Sequence, residues 1–355
     1  MNLLDATLRE IQPLDMSLVV RVQRRLNSLT KPHGSLGRLE VLALRCASIS
    51  GSERPRVDNK VLFVCCGDHG VCTEGVSAYP REVTAQMVYN FLRGGAAISV
   101  LARQFGINVQ VVDLGVDHEF AIDLPGLVSR KVARGTANFV RAAAMSSSQA
   151  VQAIEVGIAV ASDAIREGAQ LIGVGEMGIG NTTSATAMLS VLSGIDPETL
   201  TGQGTGIDAK GRKRKVAVIK RALAYHKLSS SDPLRVLTAV GGYEIAGIVG
   251  MCLAGAALQV PVVIDGFIAT AAAWVACALH PAVKDRLIFA HLSAEQGHHH
   301  VLAALEVEPL LNLYMRLGEG TGAALGMSLV DSAVRILNEM ATFDEAGVAK
   351  GECGK

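Results

Sequence analysis

Five short and continuous apolar runs constrain the fold of this chain more than any other feature. The runs cover residues 61–66, 109–112, 171–174, 262–264 and 287–290, and stretches with helical spacing separate them. A strand that is buried on both faces carries uninterrupted apolar residues, whereas a strand with one solvated face alternates. The pattern therefore predicts an α/β fold, with a Rossmann-like, mostly parallel sheet and helices on both faces. In such sheets, ligands bind in the loops at the carboxyl ends of the strands.

The two ends of the chain predict a smaller helical subdomain. Helical spacing covers about 15–29 and 36–50, and most of the chain from Pro309 onward. We expect residues 1–55 to supply the N-terminal helices of this subdomain and residues 306–346 to supply its C-terminal helical segment. Residues 56–305 are then the α/β substrate-binding domain, and the small and charged residues 347–355 predict a flexible tail.

The charge balance excludes one large class of partners. The chain has 33 Lys and Arg residues against 33 Asp and Glu residues and no long basic tract, so nucleic-acid binding is not expected.

The sequence does not predict a membrane span or a secreted protein. The most membrane-like stretch, 245–260, is shorter than a membrane span, which needs about 20 apolar residues, and this favours a buried helix. The N-terminal residues lack the apolar segment of a signal peptide. The seven cysteines form no CxxC pair, and reduced thiols in the cytoplasm fit them best.

A glycine-rich turn follows the third apolar run. The turn has the sequence Gly175-Glu176-Met177-Gly178-Ile179-Gly180-Asn181-Thr182-Thr183 and precedes an alanine-rich helical stretch. Glycines let the backbone approach a ligand closely, and the start of a helix presents unpaired N–H groups with a partial positive charge. The segment therefore predicts a strand, an anion-binding loop and a helix, with phosphate as the ligand. The alternative is a turn that collects glycine without a ligand.

The same segment also matches a dinucleotide fingerprint. Gly173, Gly175 and Gly178 have GxGxxG spacing, and Asp196 follows as the acidic residue, which supports an NAD(P)-dependent oxidoreductase as an alternative. Here, however, the loop continues through Gly180, and the helix-capping residues come only at 181–183, which suits a mononucleotide phosphate better. A third interpretation is a nucleotide-sensing dimer that uses the same loop without catalysis.

Glu319 lies between two glycines near the other end of the chain. In the sequence Gly318-Glu319-Gly320, the flanking residues leave the carboxylate unhindered, as a general base requires. The alternative is an ordinary turn at a helix end.

A basic run follows a second glycine-rich turn around Gly204. It contains Lys210, Arg212, Lys213, Arg214 and Lys215. One of these lysines could complete a phosphate site, although a charge run is more often a solvated helix face.

Four histidines, His291 and His298 to His300, resemble a metal cluster together with Glu295, but in composition only. His298, His299 and His300 are adjacent in sequence and therefore point in different directions, whereas two ligands on one helix face need i,i+4 spacing. We expect no metal here, and a helix surface or a dimer contact instead.

A series of short motifs occurs in order over nearly the whole chain. They are Lys31-Pro32 with Gly34-Ser35-Leu36-Gly37, Gly67-Asp68-His69-Gly70, Val76-Ser77-Ala78-Tyr79-Pro80, Gly175 to Thr183, Gly241-Gly242-Tyr243-Glu244-Ile245, Asp265-Gly266-Phe267, Ser293, and Leu317-Gly318-Glu319-Gly320-Thr321-Gly322. This set resembles the nicotinate-nucleotide-dimethylbenzimidazole phosphoribosyltransferase family. The resemblance implies a homodimeric α/β enzyme that moves phosphoribose from nicotinate mononucleotide to dimethylbenzimidazole, without a cofactor.

The resemblance also assigns roles to individual residues. It implies that Glu319 is the base and that Glu176 and Ser293 lie near the ribose or the reacting base. The implied phosphate site comprises the backbone of Gly178, Ile179, Gly180 and Asn181 together with Gly204 and Lys215. The implied benzimidazole slot comprises Tyr79, Gln86 and Leu317.

Overall fold

Six parallel strands form the centre of the molecule. The structure is a computed structural model that describes residues 2–204 and 206–349. The strands are β1 Lys60–Gly67, β2 Ile107–Gly115, β3 Leu127–Ser129, β4 Leu171–Met177, β5 Val262–Ile264 and β6 Leu287–Phe289. Every neighbouring pair is parallel, in the order β3-β2-β1-β4-β5-β6. The predicted parallel sheet is confirmed.

The strand order places a topological switch point beside β1. This strand pairs with β2 on one side and with β4 on the other. Strands β2 and β3 lie on one side of β1, whereas β4, β5 and β6 lie on the other, so the loops after β1 and β4 separate and open a crevice at the carboxyl edge. That crevice is where a doubly wound sheet binds its ligand.

Fifteen helices pack around the sheet within the described residues. They are α1 Leu3–Glu10, α2 Met16–Ser28, α3 Arg38–Ser50, α4 Glu82–Leu92, α5 Ala97–Phe105, α6 Ser147–Arg166, α7 Asn181–Ser193, α8 Pro197–Leu200, α9 Ala209–His226, α10 Pro233–Val240, α11 Tyr243–Ala257, α12 Phe267–Leu279, α13 His298–Ala304, α14 Thr321–Glu339 and α15 Phe343–Ala346. Short 3₁₀ turns cover Gly70–Glu74 and Pro281–Arg286.

Each face of the sheet is covered by its own apolar core. Phe63 and Cys65 of β1 belong to the core that contains α6, α11 and α12, whereas Leu62 and Val64 belong to the core that contains α2, α3 and α14. This division follows from the alternation of side chains along a strand. Since both sets are apolar, the strand appears in the sequence as one uninterrupted run.

The predicted buried helix at 245–260 is α11. Its small residues allow it to pack closely on α6: a Cβ at Gly250 would lie 2.0 Å from the carbonyl oxygen of Ile154, and a Cβ at Gly157 would lie 1.9 Å from that of Gly247. No helix among residues 2–204 and 206–349 has the length and apolarity to cross a membrane.

The terminal helices share a core with the sheet. Helices α2 and α3 match the predicted N-terminal pair, and α14 packs on α3 in the core that also contains Leu62 of β1. The subdomain boundaries at 55 and 306 stay a prediction. The predicted tail falls largely on 350–355, which lie outside the described residues.

The expected helix from Pro309 onward is wrong for its first part. Residues 309–320 are not helical, and α14 begins only at Thr321. The segment instead runs beside the end of β6, where the N–H of Leu310 donates to the carbonyl of Phe289 at 3.0 Å and the N–H of Leu292 donates to the carbonyl of Leu311 at 2.8 Å. These tertiary hydrogen bonds replace the local ones of a helix.

Candidate active site

A cavity of about 340 Å³ lies at the carboxyl edge of β4, β5 and β6. Its wall consists of the loops that follow these three strands, one face of α4 and the segment 316–319. The lining includes Tyr79, Val83, Met87, Glu176, Gly178, Ile179, Asn181, Thr182, Gly204, Asp265, Phe267, His291, Ser293, Glu295, Arg316, Leu317 and Glu319. Three of the predicted ligand loops therefore converge on one cavity beside the switch point.

The loop after β4 carries the predicted anion site. Gly180 adopts a left-handed φ of +94° and precedes the first turn of α7. The N–H groups of Ile179 and Asn181 donate to Thr84 Oγ1 and to the carbonyl of Gly178, each at 3.1 Å. The N–H groups of Gly180 and Thr182 have no intramolecular acceptor among the described residues. The positive end of α7 therefore offers two free donors to an anion.

Lys215 reaches the same helix terminus from α9. It is 1% exposed, and its Nζ donates to Thr182 Oγ1 at 2.6 Å. Burial lowers the pKa of Lys215 to about 8, against the opposing influence of Glu295. Lys210, Lys213 and Arg214 are exposed, so most of the basic run is a solvated helix face. A cation and free amides thus lie at the start of α7, as a phosphate site requires.

Glu319 lies in a turn of unusual backbone conformation. Gly318, Glu319 and Gly320 have φ values of +80°, +64° and +86°, and the middle residue is not a glycine. Its N–H donates to the carbonyl of Glu176 at 3.2 Å, which fixes the turn to the end of β4. Left-handed conformations at residues other than glycine concentrate at functional sites.

The carboxyl group of Glu319 has the properties of a base. The residue is 6% exposed, and its Oε2 is buried without a hydrogen-bond partner among the described residues. Burial, followed by the nearby charge of Asp265, raises the pKa of Glu319 to about 7. A carboxyl group with this pKa can accept a proton near neutral pH and hold it.

Close packing explains the glycines of the supposed dinucleotide fingerprint. Gly173 and Gly175 lie inside β4, and α7 begins only at Asn181. A Cβ at Gly175 would lie 2.2 Å from the backbone N of Gly320. The glycine at 175 is therefore needed so that the Glu319 turn can lie against the strand, which is not a phosphate-binding role. The dinucleotide interpretation is not supported.

Two further buried carboxyl groups support the turn. Asp265, directly after β5, accepts the N–H groups of Gly320 and Ala323 at 3.0 and 2.9 Å and so caps α14. Glu176 accepts a hydrogen bond from Asn181 Nδ2. Burial, reinforced by Asp265, Glu244 and Glu319, raises the pKa of Glu176 well above its usual value. The motif Asp265-Gly266-Phe267 marks Asp265 in the sequence, but the family resemblance implied no role for it.

His298 is a buried structural residue, which corrects the expectation of a helix surface. Its Nδ1 accepts the N–H of Ser293 at 2.8 Å, so the ring proton is on Nε2 and faces Thr270 Oγ1 at 3.0 Å. Burial lowers the pKa of His298 to about 3, which keeps the ring neutral. His298 therefore fixes the Ser293 loop. Among residues 2–204 and 206–349, no group of three His, Cys, Asp or Glu side chains is arranged to hold a metal ion.

Comparisons with known proteins decide the family. A family model described as phosphoribosyltransferase matches residues 11–348. A relative from Geobacter sulfurreducens, named nicotinate-nucleotide-dimethylbenzimidazole phosphoribosyltransferase, is 55% identical over 352 residues, which are 99% of this chain and 100% of the relative. The chain belongs to the nicotinate-nucleotide-dimethylbenzimidazole phosphoribosyltransferase family.

Other members of this family agree in sequence and in fold. A relative of the same name from Chloroflexus aurantiacus is 54% identical over 353 residues, which are 99% of each chain. The crystal structure of CobT from Thermus thermophilus superimposes with a TM-score of 0.90 at 47% identity and covers 94% of this chain and 100% of its own. The fold inferred from the apolar runs is thus the fold of this family.

The structure gathers most, but not all, of the residues that the family resemblance implied. Tyr79 and Leu317 are exposed and lie at the rim of the cavity, beside Val83 and Met87 of α4. Gln86 lines a separate cavity on the other side of α4, with Tyr89 and His118 among its neighbours. Arg316 was not predicted as a site residue, but it lines the main cavity and donates to the carbonyl of Gly204 at 2.8 Å. Its position directly before the Leu317 motif was the available signal.

Proposed function

We propose that this chain transfers phosphoribose from nicotinate mononucleotide to 5,6-dimethylbenzimidazole, which yields α-ribazole 5′-phosphate and nicotinate. One observation carries the proposal beyond family membership. A buried carboxyl group with a pKa of about 7 lines the same cavity as a helix terminus with free amides and an adjacent lysine. The first group suits proton abstraction, and the second suits a phosphate.

The main requirement of this reaction is activation of the nucleophile by a base. Nicotinate leaves from a cationic pyridinium, so the breaking C1–N bond returns its electron pair to the ring nitrogen and needs no acid. One benzimidazole nitrogen forms the new bond to C1 of the ribose. The N–H at the other nitrogen gives its proton to the Glu319 carboxylate. Attack from the opposite face inverts the anomeric carbon in a single step, without a covalent enzyme intermediate.

We propose the remaining roles from the family resemblance, supported by the positions of the side chains. The phosphate binds at the free N–H groups of the Gly178–Asn181 loop and α7, beside Lys215 and Gly204. Glu176 and Ser293 contact the ribose or the reacting base. Tyr79 and Leu317 contact the benzimidazole at the rim, whereas the position of Gln86 in a separate cavity does not support the contact that the family resemblance implies for it.

Product analysis tests the proposed function. Incubation with both substrates is expected to release free nicotinate and to form α-ribazole 5′-phosphate. Release of nicotinate excludes a purely nucleotide-sensing protein. Absence of both products, in a preparation that binds nicotinate mononucleotide, would reject the proposed transfer.

Removal of the Lys215 charge is expected to weaken mononucleotide binding. Lys215→Met keeps the apolar stem but loses the charged donor, so we expect the Kd of nicotinate mononucleotide to rise about 10- to 100-fold. Calorimetric titration measures this change. The matched control is Lys213→Met, because Lys213 is exposed on the same helix. Equal Kd values for the two variants would remove Lys215 from the phosphate site.

The pH dependence of activity is expected to be bell-shaped. Glu319 must lose its proton to act as a base, so activity rises with pH through the Glu319 pKa of about 7. Lys215 loses its charge above its pKa of about 8, so kcat/KM for the mononucleotide falls again. A kcat at saturating mononucleotide that stays constant from about pH 6 to pH 8 would contradict the role of Glu319.

We also propose that the chain works as a homodimer in the cytoplasm. Leu313, Tyr314 and Leu317 are exposed large apolar side chains in the segment before Glu319, and Leu317 lines the cavity, which supports a partner surface there. The six described cysteines are unpaired, which supports a reducing compartment. Light scattering coupled to size exclusion tests the dimer, which requires a molar mass twice that of the chain.

A further inference from the structure

A buried histidine and a buried glutamate lie behind the phosphate loop. His69 follows β1, and Glu244 lies in the first turn of α11. His69 Nε2 lies 2.6 Å from Glu244 Oε1, and neither side chain has any exposed surface. The proposed transfer gives no role to either residue, although both belong to motifs that stand out in the sequence.

Four glycines surround this pair, and two of them, Gly178 and Gly180, belong to the phosphate loop. A Cβ at Gly242 would lie 2.4 Å from His69 Cε1, and a Cβ at Gly67 would lie 2.7 Å from Glu244 Oε2. A Cβ at Gly178 would lie 3.5 Å from His69 Cδ2, and a Cβ at Gly180 would lie 3.5 Å from His69 Cβ. His69 therefore lies behind both glycines of the loop that carries the free amides, with its ring toward Gly178 and its Cβ toward Gly180.

In the described part of the chain, no second hydrogen bond stabilises the remaining polar atoms of the pair. His69 Nδ1 and Glu244 Oε2 are buried and have no hydrogen-bond partner among the described residues. Loss of either member would leave a buried polar group uncompensated. The influence of Glu244 also extends toward the site: after burial and Asp265, it is the next cause that raises the pKa of Glu176.

We propose that His69 and Glu244 are a positioning pair for the substrate phosphate. The His69 ring supports the Gly178–Gly180 backbone from below, and its Nε2–H binds the Glu244 carboxylate. This hydrogen bond pairs a carboxylate that would otherwise lie unpaired behind the loop and repel the phosphate. Neither residue contacts the reacting atoms. The inference rests on the proposed function in that the anion is the phosphate of nicotinate mononucleotide.

Titration of nicotinate mononucleotide into single and double variants tests the pair. We expect His69→Ala to raise the Kd at least about tenfold, because Glu244 is then uncompensated. The double variant His69→Ala with Glu244→Gln removes the offending charge and is expected to recover most of the affinity. Glu244→Gln alone is expected to bind within about twofold of the unmodified protein. A double variant as weak as His69→Ala would overturn the charge-compensation role.

Further measurements separate this role from a loss of folding. The matched control is the Lys60–Asp331 ion pair, which is also 2.6 Å long and lies at the amino end of the same strand β1. Lys60→Ala is expected to lower the melting temperature without changing the Kd. Where His69→Ala does not fold, His69→Gln retains a donor and is expected to bind within a few-fold of the unmodified protein. A tenfold loss in that folded variant would also contradict the proposal. Because binding is measured without turnover, a protein that binds the mononucleotide but forms no product rejects the transfer and not this inference.

Discussion

Glu319→Gln is expected to lower kcat by about 10²- to 10⁴-fold, which is the usual contribution of a general base. The amide has nearly the same shape as the carboxyl group but cannot accept the benzimidazole proton. The Kd of nicotinate mononucleotide is expected to change little, because the free amides of α7 and Lys215 are unaltered. Single-turnover measurements at saturating concentrations of both substrates isolate the chemical step.

A second glutamate provides the control for this variant. Glu308 lies in the same nonhelical region of the chain, is exposed and pairs only with Arg38 among the described residues. Glu308→Gln is expected to retain full kcat. A Glu319→Gln enzyme with kcat within about tenfold of the original would assign the proton to another acceptor. Glu176 is then the next candidate, because it lines the same cavity.

The sheet was predictable because its strands are local in sequence and apolar on both faces. The run 61–66 identifies β1 without any knowledge of its neighbours, since Leu62 and Phe63 enter opposite cores. Strand β3 has only three residues, and two of them are half-buried, so no continuous run marks it. The error at 309–320 has a related cause. That segment follows the end of β6, and its hydrogen bonds join residues that lie far apart in sequence.

Site residues that lie in one loop were predictable from the sequence, whereas the roles of residues that meet from distant segments were uncertain. The turn after β4 and the glycine-framed Glu319 are both visible as local patterns. The choice of Lys215 from a basic run depended on the family resemblance, because the burial of Lys215 against Thr182 arises only from tertiary packing. The role of His298 was not visible in sequence, since its partners Ser293 and Thr270 contact it only after α12 and α13 have packed.

Gly175, which belongs to the GxGxxG pattern, is expected to position the Glu319 turn. Gly175→Ala places a Cβ 2.2 Å from the N and 2.4 Å from the Cα of Gly320. These are backbone atoms at the start of α14, so the Glu319 turn must move. A displacement of about 1 Å at a catalytic group can cost about 10²-fold in rate. We expect kcat to fall by about that factor while the Kd of nicotinate mononucleotide changes by less than about threefold.

Gly173→Ala is the matched control, because it lies two residues earlier on the same face of β4. Its Cβ would meet the Met327 Sδ at 2.7 Å, which is the flexible part of a side chain. Both variants overpack the core and are expected to lose about 1–3 kcal/mol of stability. Only Gly175→Ala displaces the Glu319 turn, so only that variant is expected to lose kcat when both are assayed below their melting temperatures. Equal kcat values in the two variants would show that contact between β4 and the turn does not position the base.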